Sequence, residues 1–213
     1  MQIFIESVLQ HSITFFAILD PIGASAIMLS ILHVNITKKE INQIALKSTL
    51  TVIIAFFVVL FAGNIILGAF NINENSIKVI GGIILIITAI SMIQSSKEAK
   101  ELSKEEGEDI KVQDDLSIIP IAIPITFGPG IFSTIIILKH QVSGFYDLAS
   151  IVIAFLINAM LIYLIFKNSI YIKEYLGLTG QNIITKLMGL IVGAIAVQFI
   201  VSGIVELVKM YNI

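Results

Sequence analysis

The sequence predicts an all-α membrane protein of six transmembrane helices, arranged as two inverted three-helix repeats, with helices 1 and 4 broken near mid-membrane. Three observations predict this fold. The first is composition: 57% of the 213 residues are hydrophobic and only 13% are charged, whereas roughly a quarter of the residues in a soluble domain are charged. The other two are the lengths of the apolar segments and an internal repeat.

Six apolar segments are long enough to cross a bilayer, because a spanning helix needs about 20 mostly apolar residues. In chain order, the predicted spans are Ile3–Leu32, Ser48–Phe70, Ser76–Ser95, Leu116–Leu138, Tyr146–Phe166 and Ile183–Val208. The long polar stretch 97–115 separates the third span from the fourth and is interpreted as a cytoplasmic linker. The predicted domains are therefore a first repeat over residues 1–96, this linker, and a second repeat over 116–213.

The two halves repeat with an offset of 108 residues. This offset pairs Pro21 with Pro129, Ser25 with Ser133, Lys78 with Lys186, and Gly81 with Gly189. Each half also begins with an apolar segment that proline and glycine interrupt. Helix breaks at corresponding places in two repeats are typical of membrane transporters and mark their binding sites.

The lysines predict the orientation of the spans. All 13 basic residues are lysines. Ten of them follow the first, third or fifth span, and these loops all lie on one side of the membrane. Only Lys78, Lys139 and Lys209 lie on the opposite side. By the positive-inside rule, the lysine-rich loops lie in the cytoplasm and both termini lie on the outer side of the cytoplasmic membrane. Since each half has three spans, the second half enters the membrane upside down, which is the arrangement behind alternating access in many carriers.

The first span carries Asp20 near its middle, in an otherwise apolar environment. A charge at that depth costs at least a few kcal/mol, so it should face a polar cavity or a partner. Asp followed by Pro is also a helix-start signal. We therefore expect one half-helix to end near Ile18 and a second to run from Asp20 through Leu32. A purely structural role for Asp20, as the cap of this second helix, is the alternative interpretation.

The fourth span is interrupted more severely. Pro120, Pro124 and Pro129 all fall within it, and Gly128 and Gly130 flank the last proline. We expect a half-helix to start at Pro129. Its free N–H groups and the positive end of its dipole form an anion site that needs no basic side chain.

In an inverted repeat the two restarted helices point their N-terminal ends at one region. One end has a carboxylate and the other has none, so together they suit a zwitterion. In this hypothesis Gly128, Pro129 and Gly130 frame the substrate carboxylate and Asp20 attracts the ammonium. The candidate substrate-binding residues are Asp20, Pro21, Gly23, Ser25, Thr126, Gly128, Pro129, Gly130, Ser133 and Thr134.

Other polar residues and glycines in the spans have structural interpretations. Asn158 and Gln198 are mid-span amides of the kind that usually form hydrogen bonds between helices. His11 is a lone histidine and is interpreted as structural. Close helix packing is expected at Gly81, Gly82, Gly189 and Gly193.

The chain resembles the MarC family, also called the small neutral amino acid transporter family. Four segments carry the resemblance: FFAILDPIGASAI at 15–27, VIGGIILI at 79–86, IPIAIPITFGPGIFSTIIIL at 119–138 and LTGQNIITKLMGLIVGAIAVQFI at 178–200. The family motifs fall on Asp20, Pro21, Gly23, Gly128, Pro129 and Gly130. The resemblance implies a six-span inner-membrane protein that transports glycine, alanine or similar small neutral amino acids, with serine and threonine as further candidates.

Other functions stay open to different degrees. An enzyme is not expected, because the spans hold neither paired aspartates nor a HExxH motif. The absence of cysteine excludes disulfides and thiolate chemistry. No cofactor, metal site or nucleic-acid partner is expected, and the coupling ion is either H⁺ or Na⁺. The runner-up function is a channel or exporter for another small solute or ion. The sequence does not predict the oligomeric state.

Overall fold

The computed structural model describes residues 2–32, 36–94 and 117–211. Within these ranges the chain forms seven helices and no strand. In chain order these are α1 Gln2–Leu19, α2 Pro21–Ile31, α3 Lys38–Ala69, α4 Glu74–Gln94, α5 Pro129–His140, α6 Phe145–Lys167 and α7 Ser169–Tyr211. An irregular segment, Ser117–Thr126, precedes α5. The predicted linker 97–115 lies outside the described residues.

Five elements of the described chain are long and apolar enough to cross a membrane. They are the α1–α2 pair and the helices α3, α4, α6 and α7. The irregular segment and α5 form a sixth candidate, with a bend of 59° between its two parts. The prediction of an all-helical, multi-pass membrane protein is therefore confirmed.

Two helices are longer than the apolar segments that predicted them. α3 begins at Lys38 rather than near Ser48, because Thr37 and Glu40 form a reciprocal capping box at its start. α7 begins at Ser169 rather than near Ile183, and Gly177 interrupts it with a φ of 63°. Hydropathy identifies the part of a helix that lies in lipid, whereas capping residues decide where the helix begins.

α4 packs chiefly against α7, a helix of the other half of the chain. Glycines line this contact, which we call the glycine seam: Gly82, Gly189 and Gly203. A Cβ on Gly82 would lie 2.7 Å from the Ala196 carbonyl oxygen. The same atom on Gly189 would lie 3.1 Å from the Ala89 carbonyl oxygen. Only glycine lets the two backbones approach so closely, which confirms the packing role predicted for Gly82 and Gly189.

A cluster of three phenylalanines packs the C-terminal part of α1 against α3 and α6. Phe56 of α3 stacks on Phe155 of α6 at 3.8 Å between ring centroids. Phe15 of α1 meets Phe155 edge-on at 5.2 Å. All three rings are fully buried. The cluster packs α1 against α3 and α6 about one helical turn before α1 ends at Leu19.

Candidate functional site

The first helix break lies at Asp20. α1 ends at Leu19, Asp20 has a left-handed backbone conformation (φ 37°, ψ 63°), and Pro21 opens α2. Aspartate is among the residues that tolerate this conformation. Its carboxylate accepts a hydrogen bond from the Gly23 N–H at 3.2 Å. The predicted break and the capping role of Asp20 are thereby confirmed, with each helix boundary shifted by one residue.

Asp20 has a second partner, which comes from the other half of the chain. The hydroxyl of Thr185 in α7 donates a hydrogen bond to its carboxylate. Gly23 lies between these groups. A Cβ on Gly23 would lie 2.6 Å from the Thr185 hydroxyl oxygen and would overlap the Asp20 carboxylate. Glycine at this position therefore allows α7 to reach the start of α2.

Gln181 lies one helical turn before Thr185 on α7 and is 1% exposed. Within the described part of the chain, neither its amide oxygen nor its amide nitrogen has a hydrogen-bond partner. Such an orphaned buried group is unusual and costs free energy unless something else satisfies it. Because residues four apart share one face of a helix, Gln181 lies on the same face as Thr185. Gln181 is therefore a candidate for contact with a ligand.

Sequence reasoning missed both Gln181 and Thr185. The predicted sixth span began at Ile183, which placed Gln181 outside the membrane. The available signal was the spacing of an amide and a hydroxyl four residues apart at the start of an apolar helix. That signal is weak without the knowledge that α2 packs against α7.

The second break covers the irregular segment and the start of α5. Ile119 and Ile123 have extended backbone, with φ of −125° and −131°. Each precedes a proline, which disfavours helical geometry in the residue before it. The helix restarts at Pro129, as predicted, and Gly128 precedes it without any side-chain cap. The first turn of α5 thus offers backbone N–H groups that no capping side chain occupies.

The two breaks are neighbours in space. A Cβ on Gly130, in the first turn of α5, would lie 3.7 Å from Ile18 in the last turn of α1. It would also lie 2.9 Å from Leu85 of α4, so the contact is tight. The carboxylate-capped start of α2 and the uncapped start of α5 are therefore close to one another. Gly130 is buried, whereas Pro129 is exposed.

The four predicted hydroxyl residues are buried, and each bonds to the backbone of its own segment. Ser25 donates to Ile22, Thr126 to Ile121, Ser133 to Pro129 and Thr134 to Gly130, at 2.7, 2.7, 3.0 and 2.8 Å. A hydroxyl has a single proton to donate, so in this conformation only their lone pairs remain for a ligand. Ser133 also packs against α4: a Cβ added to Gly81 of α4 would lie 2.7 Å from the Cβ of Ser133.

The remaining polar candidates separate into two cases. Asn158 of α6 donates to the Ser12 carbonyl of α1 at 3.1 Å, which confirms the predicted bond between helices. Gln198 is exposed and lines a cavity together with His11. Among the described residues, no group of three or more His, Asp or Glu side chains is placed to hold a metal ion.

Comparison with known proteins gives consistent matches. A family model described as "MarC family integral membrane protein" matches residues 5–208. A UPF0056 membrane protein of Aquifex aeolicus (strain VF5) is 29% identical over 201 residues, covering 91% of this chain and 90% of the relative. YvbG of Bacillus subtilis (strain 168), also a UPF0056 membrane protein, is 33% identical, covering 90% of this chain and 91% of the relative. The UPF0056 membrane protein YhcE of Escherichia coli (strain K12) is 30% identical, at 89% and 87% coverage. No solved structure gives a significant match.

Proposed function

Because the chain belongs to the MarC family of integral membrane proteins, we propose that it is a secondary transporter of small neutral amino acids. Glycine and alanine are the first candidate substrates, and serine and threonine are larger ones. The observation that carries the proposal is the proximity of two helix N-termini of opposite character. One is capped by the Asp20 carboxylate, and the other, at Gly128, has no side-chain cap.

An amino acid zwitterion complements these two ends. The uncapped N–H groups and the positive dipole end of α5 attract its carboxylate. Asp20 attracts its ammonium, since a carboxylate has about four lone-pair sites and the Gly23 and Thr185 bonds occupy two of them. Gln181 adds an amide that donates and accepts. Leu85 and Ile18 crowd Gly130, and a small substrate side chain suits such a tightly packed position better than a large one.

The packing of the helices supports an inverted repeat and therefore alternating access. α2 of the first half packs against α7, and α5 of the second half packs against α4. The offset of 108 residues relates these two contacts to each other. The contacts of α3 with α6 and of α4 with α7 pair equivalent helices of the two halves. This pattern is what two repeats of opposite orientation around a shared site would produce.

Transport in this proposal takes place in the cytoplasmic membrane, with both termini outside. Asp20 and the carbonyl groups freed at the two breaks provide oxygen atoms for a coupling ion, either H⁺ or Na⁺. No covalent chemistry takes part.

Uptake of radiolabelled glycine and alanine into proteoliposomes tests the proposal. We expect uptake that saturates and that unlabelled alanine inhibits by competition. An imposed pH or sodium gradient should identify the coupling ion. Asp20→Asn should reduce uptake at least about tenfold, because a hydrogen-bonded charge contributes roughly 1.5–3 kcal/mol.

Asp147→Asn is the matched control, since Asp147 caps a surface turn through the Ser143 N–H and lies at the start of α6. This variant should transport like the wild type. Flux that does not saturate and is unchanged in Asp20→Asn would indicate a channel and refute the carrier mechanism.

A further inference from the structure

A polar cavity of about 280 Å³ lies between α1, α4, α5 and α7. It is distinct from the two helix breaks, because its lining on α1 ends at Thr14 and its lining on α7 begins at Ile195. Seven of its ten lining residues are polar, in a chain that is 57% hydrophobic. The lysine distribution places this side of the protein outside the cell.

The wall of the cavity holds one buried cation. Lys78 of α4 is 4% exposed, and its ammonium donates to the Glu206 carboxylate of α7 at 2.6 Å. An ammonium group has three N–H donors, so two remain for a ligand at the cavity wall. Glu206 neutralises the lysine, and the pair therefore carries no net charge.

Three glutamine side chains supply further donors and acceptors. They belong to Gln10, Gln141 and Gln198, from three different elements around the cavity. Each amide presents one carbonyl oxygen and two N–H groups. A wall with one compensated cation and several amides favours a ligand that carries both charges over a simple anion.

The volume limits the size of the ligand. A water molecule occupies about 30 Å³ in the liquid, and drug-sized ligands fill pockets of roughly 300–1,000 Å³. A cavity of about 280 Å³ therefore accommodates a molecule of a few heavy atoms with some water.

We propose that this cavity is a second, outer binding site for a small zwitterionic amino acid. The substrate carboxylate accepts from Lys78, and its ammonium donates to the glutamine amide oxygens. This inference rests on the proposed transport of amino acids and adds to it a site at which substrate binds on the outer side of the helix breaks.

A structural role for the ion pair is the competing explanation, since Lys78 and Glu206 also join α4 to α7 beside Gly203. The test variant must therefore leave that pair intact. Gln198→Leu does so, because Gln198 is exposed. Gln94→Leu is the matched control, since Gln94 is an exposed amide at the far end of α4.

Equilibrium binding of radiolabelled alanine to the purified full chain in nanodiscs is the experiment. We expect two sites per wild-type chain, one in Asp20→Asn, and two in Gln94→Leu. In Gln198→Leu the affinity of the outer site for alanine should fall at least about tenfold, because a hydrogen bond to a charged group is lost. Unlabelled glycine should compete at both sites, and acetate, which lacks the ammonium, should not.

A second variant removes the charges together. Lys78→Met combined with Glu206→Met leaves no unpaired buried charge and should also abolish the outer site. If the wild type binds one alanine, and only Asp20→Asn removes it, the outer site is refuted and the transport proposal stands. If Asp20→Asn keeps both sites while the outer variants lose one, the outer site stands and the assignment of Asp20 fails.

Discussion

Asp20, Gly23 of α2 and Thr185 of α7 meet at the point where α1 ends and α2 begins. The roles of Asp20 and Pro21 were predictable, because the cap and the first helical position depend on neighbouring residues alone. The position of Thr185 was not, since its hydrogen bond to Asp20 joins residues far apart in the chain. Gly23 was predicted as a substrate-binding residue, and having no side chain it would leave space at the start of α2. In the structure, part of that space is filled by Thr185.

Gly23→Ala should weaken both stability and transport. The added methyl group would collide with the Thr185 hydroxyl and the Asp20 carboxylate, so α2 and α7 must move apart. Overpacking of this kind costs about 1–3 kcal/mol. Thermal unfolding in detergent and alanine uptake measure the two effects. Gly68→Ala is the control, because a Cβ there meets nothing within 4 Å. An alanine variant at position 23 that behaves like the one at position 68 would contradict the observed packing.

Gln181→Leu separates stability from ligand binding. Its amide has no partner in the described chain, so its replacement by an apolar group of similar size should leave the melting temperature unchanged or raise it. Alanine affinity should fall about tenfold if this amide contacts the substrate. The two are measured by thermal unfolding and by binding to the purified protein. Lower stability with unchanged affinity would assign Gln181 to the fold alone.

At the scale of elements, the two restarted helices were the most predictable part of the candidate site. Proline fixes φ and suits the first turn of a helix, so the starts at Pro21 and Pro129 follow from local geometry. The break at Gly177 was not predicted, because no proline marks it and it lies outside the apolar segment. The early start of α3 was missed for a similar reason, since its first residues are polar.

Gly128→Asp should change the stability of α5 little and abolish transport. An aspartate there would cap the free N–H groups, which adds only about a few tenths of a kcal/mol relative to glycine, and its Cβ would lie 3.1 Å from the Pro124 carbonyl oxygen. The same carboxylate would occupy the place assigned to the substrate carboxylate. Gly144→Asp is the matched control, because Gly144 is the uncapped residue before α6 and its surroundings are open. Retained uptake in Gly128→Asp would show that the start of α5 does not bind the substrate.

At the scale of the whole molecule, composition was sufficient to predict an all-helical membrane protein. The packing of one half on the other was suggested only by the repeat. The offset of 108 residues indicates which helices are equivalent, but it does not say which of them touch. That information comes from the glycine seam and from the contacts of α2 and α5 with the opposite half.

The orientation of the molecule can be tested with single cysteines, because the chain contains none of its own. Gln141→Cys follows α5 on the predicted outer side, and Lys39→Cys lies at the start of α3 on the predicted inner side. Both positions are exposed. In intact cells a membrane-impermeant maleimide should label the first and not the second, as the positive-inside rule requires. The opposite labelling pattern would invert the topology, and with it the assignment of the outer cavity.

The glycine seam also bears on the ancestry of the fold. α4 finds its main partner in the opposite half, so a single half would present its small residues to lipid with nothing to cover them. Two copies of such a half, inserted in opposite orientations, would cover them mutually. Under the proposed inverted repeat, the seam would correspond to the subunit interface of an antiparallel homodimer, kept after gene duplication and fusion joined its two copies.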